Sequence, residues 1–155
     1  MILSAKLYMA NAVRIKELRK FSKKDLDGLN NLFSEWWAKK RYKVKSIKPK
    51  YFKQFIKNSR LICLYDNEKI IGAVTVTKIY KISGLNCSIE HLIIDKNYRG
   101  RGLSKQLMKF AIDLAKKQSA KRIFLTCDKN NAIGNTLYKK MGFKLGKVNF
   151  YSLGL

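Results

Sequence analysis

Residues Ile93-Ile94-Asp95-Lys96-Asn97-Tyr98-Arg99-Gly100-Arg101-Gly102-Leu103-Ser104 read as the end of an apolar strand, a short basic loop with two glycines, and the start of a helix. Glycines let a backbone approach a ligand closely, successive N–H groups can then converge on one anion, and a helix N-terminus adds about half a positive charge. The loop therefore suits a pyrophosphate. It is not a Walker loop, because GxxxxGK[ST] is absent, and GxGxxG fails because Lys105 stands where the third glycine would be.

The elements around this loop fix the fold class. Downstream, Leu103, Leu107, Phe110, Ala111, Leu114 and Ala115 form a helical stripe. Arg122 to Cys127 reads as a short strand, and Asn131 to Met141 as a helix stopped by Gly142. Phe143 to Leu145 and Asn149 to Leu153 read as closing strands. Upstream, Cys87 to Asp95 is apolar on both faces and is expected at the centre of a sheet. A turn at Ser83-Gly84-Leu85-Asn86 separates it from a hairpin of Leu61 to Tyr65 and Ile70 to Ile79, which closes through Asp66-Asn67-Glu68. Two helices precede the hairpin. One runs from about 22 to 40, with Ser22 and Asp25 spaced as a capping box; the other follows Pro49, buries Phe52, Phe55 and Ile56, and ends near Asn58. The order gives a mixed sheet with helices on both faces.

Composition adds bounds. The 155 residues carry 46% apolar residues, enough for one domain with a core, and no linker or repeat divides them. Lys plus Arg number 34 against 10 Asp plus Glu, a net +24, which favours anionic partners and says nothing about fold. Cys63, Cys87 and Cys127 make no CxxC pair, so neither a disulfide framework nor a metal site is expected, and a cytoplasmic location fits. No run has the length of a membrane span or a signal peptide, so no membrane partner is expected.

A second element narrows the reading. Asn131-Ala132-Ile133-Gly134-Asn135-Thr136-Leu137-Tyr138-Lys139-Lys140-Met141-Gly142-Phe143 sets Asn131 and Tyr138 two turns apart on one helix face. Together with Arg99-Gly100-Arg101-Gly102-Leu103-Ser104 it resembles the paired motifs of the GNAT superfamily of acetyl-CoA-dependent N-acetyltransferases, [RQ]xxGx[GA] and N…LYxxxGF. The resemblance covers about residues 13 to 155, with 1–12 as an N-terminal extension of a single domain. It implies a three-layer α+β fold with a mostly antiparallel sheet, and acetyl-CoA as cosubstrate without a metal. In such proteins the strand before the loop, here Leu92, Ile93 and Ile94, pairs with the pantetheine arm. The loop amides from Gly100 to Lys105 hold the pyrophosphate, with Arg99, Arg101 and Lys105 around it. Ser104 replaces the usual glycine or alanine, and Gly134 the frequent alanine. Asn131 is implied to contact the pantetheine arm, and Tyr138 to protonate the departing thiolate.

An acceptor amine with a reference pKa of about 10.4 must lose its proton before it attacks. Of the 10 carboxylates only Glu90 lies within an apolar strand directly upstream of the loop, and many family members carry a base there, so Glu90 is nominated. His91 is the sole histidine; strand alternation turns it to the opposite face unless a bulge intervenes. Some N-terminal acetyltransferases of the superfamily carry a glutamate where this chain has Thr126. The acceptor wall is implied to include Trp36, Trp37, Tyr42 and Tyr51 with Lys39, Lys40, Arg41, Lys43, Lys45, Lys48 and Lys50, a basic stretch suited to an acidic acceptor or to RNA. The resemblance thus implies acetyl transfer to a primary amine of a small molecule or peptide. A homodimer is admitted. The alternatives are a basic nucleic-acid-binding protein and a CoA-binding regulatory domain, each on the same fold without turnover.

Overall fold

The computed structural model describes residues 13–20, 22–39 and 46–154. They fall into two compact units, residues up to Leu125 and Thr126–Leu155, each taken by itself below.

The first unit is built on a five-stranded sheet of order β1-β2-β3-β4-β5, with β1 Arg14–Leu18, β2 Ser59–Asp66, β3 Lys69–Lys81, β4 Gly84–Ile94 and β5 Arg122–Phe124. The first four strands are antiparallel neighbours and β5 is parallel to β4, the mixed sheet expected. β3, not β4, is the middle strand: Ile70 to Val76 are buried without a break, whereas Glu90 and His91 interrupt β4 with exposed positions. Strand β1 is an addition to the sequence reading. Its charged RIKEL sequence has little strand character alone, and its order comes from pairing with Leu61 to Tyr65.

Helices α1, Lys23–Lys39, and α2, Pro49–Asn58, cover one face. The α1 start is the expected capping box: the Ser22 amide donates to Asp25 Oδ2 at 2.9 Å and the Asp25 amide to Ser22 Oγ at 3.1 Å. Leu29, Leu32 and Phe33 of α1 and Phe52 of α2 pack with Leu61, Cys63, Tyr65, Ala73 and Ile93. Burying a side chain of this kind contributes about 1.5–3 kcal/mol. Helix α3, Leu103–Lys117, buries Leu107, Met108, Ala111 and Ala115; strand alternation puts Ile62, Leu64, Val74 and Val76 on this second face. The sheet is therefore covered on both sides.

In the second unit α4 spans Ala132–Lys140. The strands expected at Phe143 to Leu145 and Asn149 to Leu153 do not form. Leu145, Val148, Phe150, Tyr151 and Leu153 are all exposed, and a β-prone sequence makes a strand only where a neighbour pairs with it. The strand expected to reach Cys127 likewise ends at Phe124, where pairing with β4 stops.

Candidate active site

The loop after β4 is held by its own side chains and turns into the start of α3 through two left-handed glycines. Asp95 Oδ1 takes the Asn97 amide at 2.9 Å and closes a single 3-10 turn, Lys96–Tyr98. Burial alone would raise the Asp95 pKa, but the Lys69 ammonium at 2.8 Å and the Asn97 amide outweigh it and hold the carboxyl below its ordinary range. Tyr98 donates to Asp66 at 2.6 Å, so the loop is braced against the turn of the first hairpin. Gly100 and Gly102 then take φ of 77° and 72°, the left-handed region in which a side chain costs about 1–2 kcal/mol, and a Cβ at either would meet nothing within 4 Å. What excludes a side chain there is backbone conformation, not crowding. Gly102 is the N-cap of α3 and supplies no side-chain cap, and no acid stands in the first turn of the helix. The buried Leu103 side chain anchors that turn in the core, while Ser104 and Lys105 lie nearer solvent. Among the described residues no side chain caps the leading amides of this 15-residue helix, an arrangement able to take an anion.

The side chains of the loop serve it more than they reach out. Arg99 Nε donates to the Ile94 carbonyl at 3.0 Å and its guanidinium pairs with Glu35 of α1 at 3.2 Å. Arg101 donates to the Asn97 carbonyl at 3.1 Å and lies over the Tyr98 ring.

The second half of β4 leaves regular geometry. Pairing with β5 joins only Asn86, Cys87 and Ser88 to Arg122, Ile123 and Phe124. From Ile89 onward, among the described residues, no strand pairs with that edge of β4. Leu92 is half-buried there, and Ile93 and Ile94 are buried. On the other edge Thr75 pairs with Glu90 and Ala73 with Ile93, so His91 and Leu92 together oppose Val74: a bulge, with His91 at φ 55°. A non-glycine residue held at positive φ costs on the order of 1 kcal/mol and clusters at functional sites.

This bulge is the exception under which strand alternation does not turn His91 to the opposite face. Glu90 shares a face with Thr75, its partner across the strands, and receives a hydrogen bond from Ser88 Oγ at 2.8 Å. His91 does not turn to the opposite face: Nδ1 lies 3.1 Å from Thr75 Oγ1, and the ring meets Phe33 and Trp36 of α1 edge-on at 6.1 and 5.7 Å. Both groups therefore stand on the side that α1 covers. Thr75 and Ser88 are buried polar residues that the sequence reading passed over. For Thr75 the signal is its alternation with Thr77 within the largely apolar stretch Ile70 to Ile79.

In the second unit, Asn131 is the N-cap of α4; its Oδ1 accepts the Gly134 amide at 2.9 Å. A Cβ at 134 would lie 2.7 Å from Asn131 Nδ2, so glycine at this place lets the Asn131 amide fold over the helix start. The other end is a Schellman stop: the Phe143 amide donates to the Tyr138 carbonyl and the Gly142 amide to the Lys139 carbonyl, both at 3.0 Å, with Gly142 at φ 89°. The Phe143 and Tyr138 rings meet at 6.2 Å. The motif LYxxxGF thus fixes where the helix ends and how the Tyr138 ring is held. Burial first, and the nearby Cys127 second, push the Tyr138 phenol above its ordinary pKa.

Of the basic stretch, Lys40, Arg41, Tyr42, Lys43 and Lys45 lie outside the described residues, as do 1–12. Trp36 and Trp37 pack partly buried against the core, and Tyr51 is exposed under Lys50. Among the described residues no group of acids, histidines and cysteines stands together to hold a metal, and no helix is long and apolar enough to cross a membrane.

The model of the Acetyltransferase (GNAT) family matches residues 27–143. The N-alpha-acetyltransferase 30 of Schizosaccharomyces pombe is 32% identical over 79 residues, 50% of this chain and 53% of that protein. An uncharacterized N-acetyltransferase of Methanocaldococcus jannaschii is 27% identical over 94% of this chain and 68% of its own length. The chain covers between 31% and 53% of the length of the first curated relatives it matches. An acetyltransferase structure from Trypanosoma brucei superposes with a TM-score of 0.76 over 93% of this chain and 100% of that one at 15% identity, a likeness of fold.

Proposed function

The chain belongs to the GNAT family of acetyltransferases, and from that premise we propose that it transfers the acetyl group of acetyl-CoA to a primary amine of a small molecule or peptide by direct attack, its two units working as one domain. The observation that carries the reading is the union of an opened strand edge with an uncapped helix start: β4 loses β5 after Ser88, and six residues beyond the edge of β4 the left-handed Gly100 begins an anion cradle.

The residues fit a CoA thioester by the chemistry of their donors. The backbone of Leu92, Ile93 and Ile94 offers strand-type hydrogen bonds to a pantetheine arm, and the amides from Gly100 to Lys105 suit a pyrophosphate. Lys105 adds charge; Arg99 and Arg101 contribute chiefly by holding the loop in shape. Asn131 is assigned to the arm and Tyr138 to the sulfur. The bound cosubstrate supplies an activated acyl group; everything else falls to the chain. Tyr138, with its phenol pushed up by burial, keeps its proton at neutral pH and can give it to the departing thiolate. Glu90 supplies negative charge on the α1-covered side of the sheet, where it offsets the ammonium of an arriving acceptor, and its carboxylate is one of two groups at the bulge able to take the amine proton.

Release of free thiol from acetyl-CoA across a panel of amines tests the proposal, and turnover with at least one is expected. Tight CoA binding without turnover would instead identify a regulatory domain. Steeply salt-dependent RNA binding with no thiol release would identify the basic surface as the functional one.

A further inference from the structure

We propose that the end of the sheet where the β3–β4 hairpin projects is a docking surface for single-stranded nucleic acid, with phosphates on Lys78, Lys116, Lys117 and Lys121 and an unpaired base on Tyr80. This surface stands apart from the acetyl-transfer site.

The charges of the first unit are unevenly placed. Around the loop after β4 the cations have carboxylates: Lys24 pairs with Glu68, Lys69 with Asp95 and Arg99 with Glu35. The opposite end of β4 is built from residues 77–89 and 114–125, which contain no aspartate or glutamate. Among the described residues none of its lysines has an ion-pair partner.

The fold gathers these lysines beside an aromatic ring. Thr77 is the last residue of β3 to pair with β2, and Asn86 the first of β4 to pair with β5, so 78–85 projects as a hairpin. Alternation along β3 puts Lys78 and Tyr80 on the face of Val74 and Val76, which α3 covers. Because α3 starts after the loop and β5 then pairs with the beginning of β4, the helix runs back along the sheet and brings Lys116 and Lys117 to this end. The Lys121 amide donates to the Leu85 carbonyl at 2.8 Å and its Nζ to the Ser83 carbonyl, which holds a third lysine against the hairpin. Tyr80 is 72% exposed, and Ile82 at the apex is fully so.

Lysines around an exposed ring suit a single strand without reading its sequence: the cations follow phosphates and the ring takes a base. Tyr80 and Ile82 make a small apolar patch for a bilayer, whereas one ring is enough to stack one base. The loop and the hairpin lie at opposite ends of an 11-residue strand, on the order of 30 Å apart at about 3.3 Å per residue, so both can be occupied together.

Fluorescence anisotropy with labelled oligo-uridine and oligo-thymidine of about 12 nucleotides tests the surface. The two should bind alike, and log K should fall against log salt with a slope of about −3, roughly 0.7 for each of four phosphates. Tyr80→Ala should weaken the single strands about fivefold or more and leave a duplex of the same length unaffected, while Tyr80→Phe keeps the ring and the affinity. Lys116→Gln with Lys117→Gln should reduce the slope to about −1.5 and leave thiol release from acetyl-CoA as in the parent. The matched pair Lys20→Gln with Lys23→Gln, at the start of α1, should change affinity by less than about twofold. Saturating CoA should not displace the oligonucleotide. Equal losses from the two lysine pairs would mean diffuse attraction, displacement by CoA would place the strand in the loop, and binding to phosphatidylserine vesicles with neither oligonucleotide bound would mean a lipid surface; each overturns the proposal. Absence of thiol release with every amine defeats the acetyl-transfer reading alone and leaves these outcomes as they stand.

Discussion

On the proposed reading, the two glycine-bearing motifs of this chain keep their chemistry in different places. In the loop from Asp95 to Lys105 the useful groups are backbone amides, and the side chains of Asp95, Tyr98, Arg99 and Arg101 are engaged in holding the loop in shape. In the segment from Asn131 to Phe143 the backbone is closed at both ends by a cap and a Schellman stop, and what is left to act is the Tyr138 phenol. The difference sets which substitutions each motif tolerates. A loop that works through amides should absorb changes of side chain and fail when a Cβ is added at the wrong φ. A helix that works through a side chain should fail when one atom is removed.

Tyr138→Phe is the sharpest cut on the helix side. It removes one oxygen and leaves the ring against Phe143, so folding and acetyl-CoA affinity should persist while kcat falls about 100-fold or more, the usual range for loss of a general acid. The alkaline side of the kcat profile carries the sign. A donor works while protonated, and burial raises the pKa of this phenol, so its contribution persists as pH rises past the ordinary tyrosine value of about 10 and is lost only above it. A kcat that Tyr138→Phe leaves unchanged would remove the assigned role.

On the loop side, Gly102→Ala should weaken CoA binding about 10-fold. The methyl meets no neighbour, yet the left-handed φ of 72° costs on the order of 1–2 kcal/mol, and relaxing it swings the first amides of α3 away from the anion. Arg101→Ala removes a larger group and a full charge but should change affinity less, within about threefold, as exposed cations commonly do. Equal effects from the two, measured by calorimetry, would mean that the loop binds with side chains after all.

How far the sequence discloses these features depends on the range of the interactions that make them. The Ser22–Asp25 box, the helix opened by Pro49, the hairpin turn at Asn67-Glu68 and the two motifs are written in neighbouring residues and are legible as such. Strand β1 is not, because Arg14 to Leu18 becomes a strand by pairing with residues far along the chain. Nor is the face of His91, since the bulge is a matter of register between β3 and β4 and no residue of β4 announces it. The segments Phe143 to Leu145 and Asn149 to Leu153 show the converse: strand-like composition without a partner leaves their apolar side chains exposed. Of the candidate site, the glycines and Tyr138 were readable, whereas Thr75 and the Arg99–Glu35 pair needed the fold.

The smallest effect expected is at Gly134, where two terms of similar size oppose each other. Alanine favours a helix over glycine by up to ~1 kcal/mol. Its Cβ, however, would stand 2.7 Å from Asn131 Nδ2, so the amide must rotate away and the N-cap bond to the 134 amide is lost or stretched, a cost of about 1 kcal/mol. Gly134→Ala alone should therefore leave Tm almost where it was, a result that by itself would look like an indifferent surface position. The cycle separates the terms. Asn131→Ala should destabilise by about 1 kcal/mol, and adding Gly134→Ala to it should then recover most of that loss, because no side-chain amide remains for the new methyl to strike. Additivity of the two substitutions, read from thermal melts of all four proteins, would show that Gly134 serves the backbone alone and that the Asn131 cap owes nothing to it.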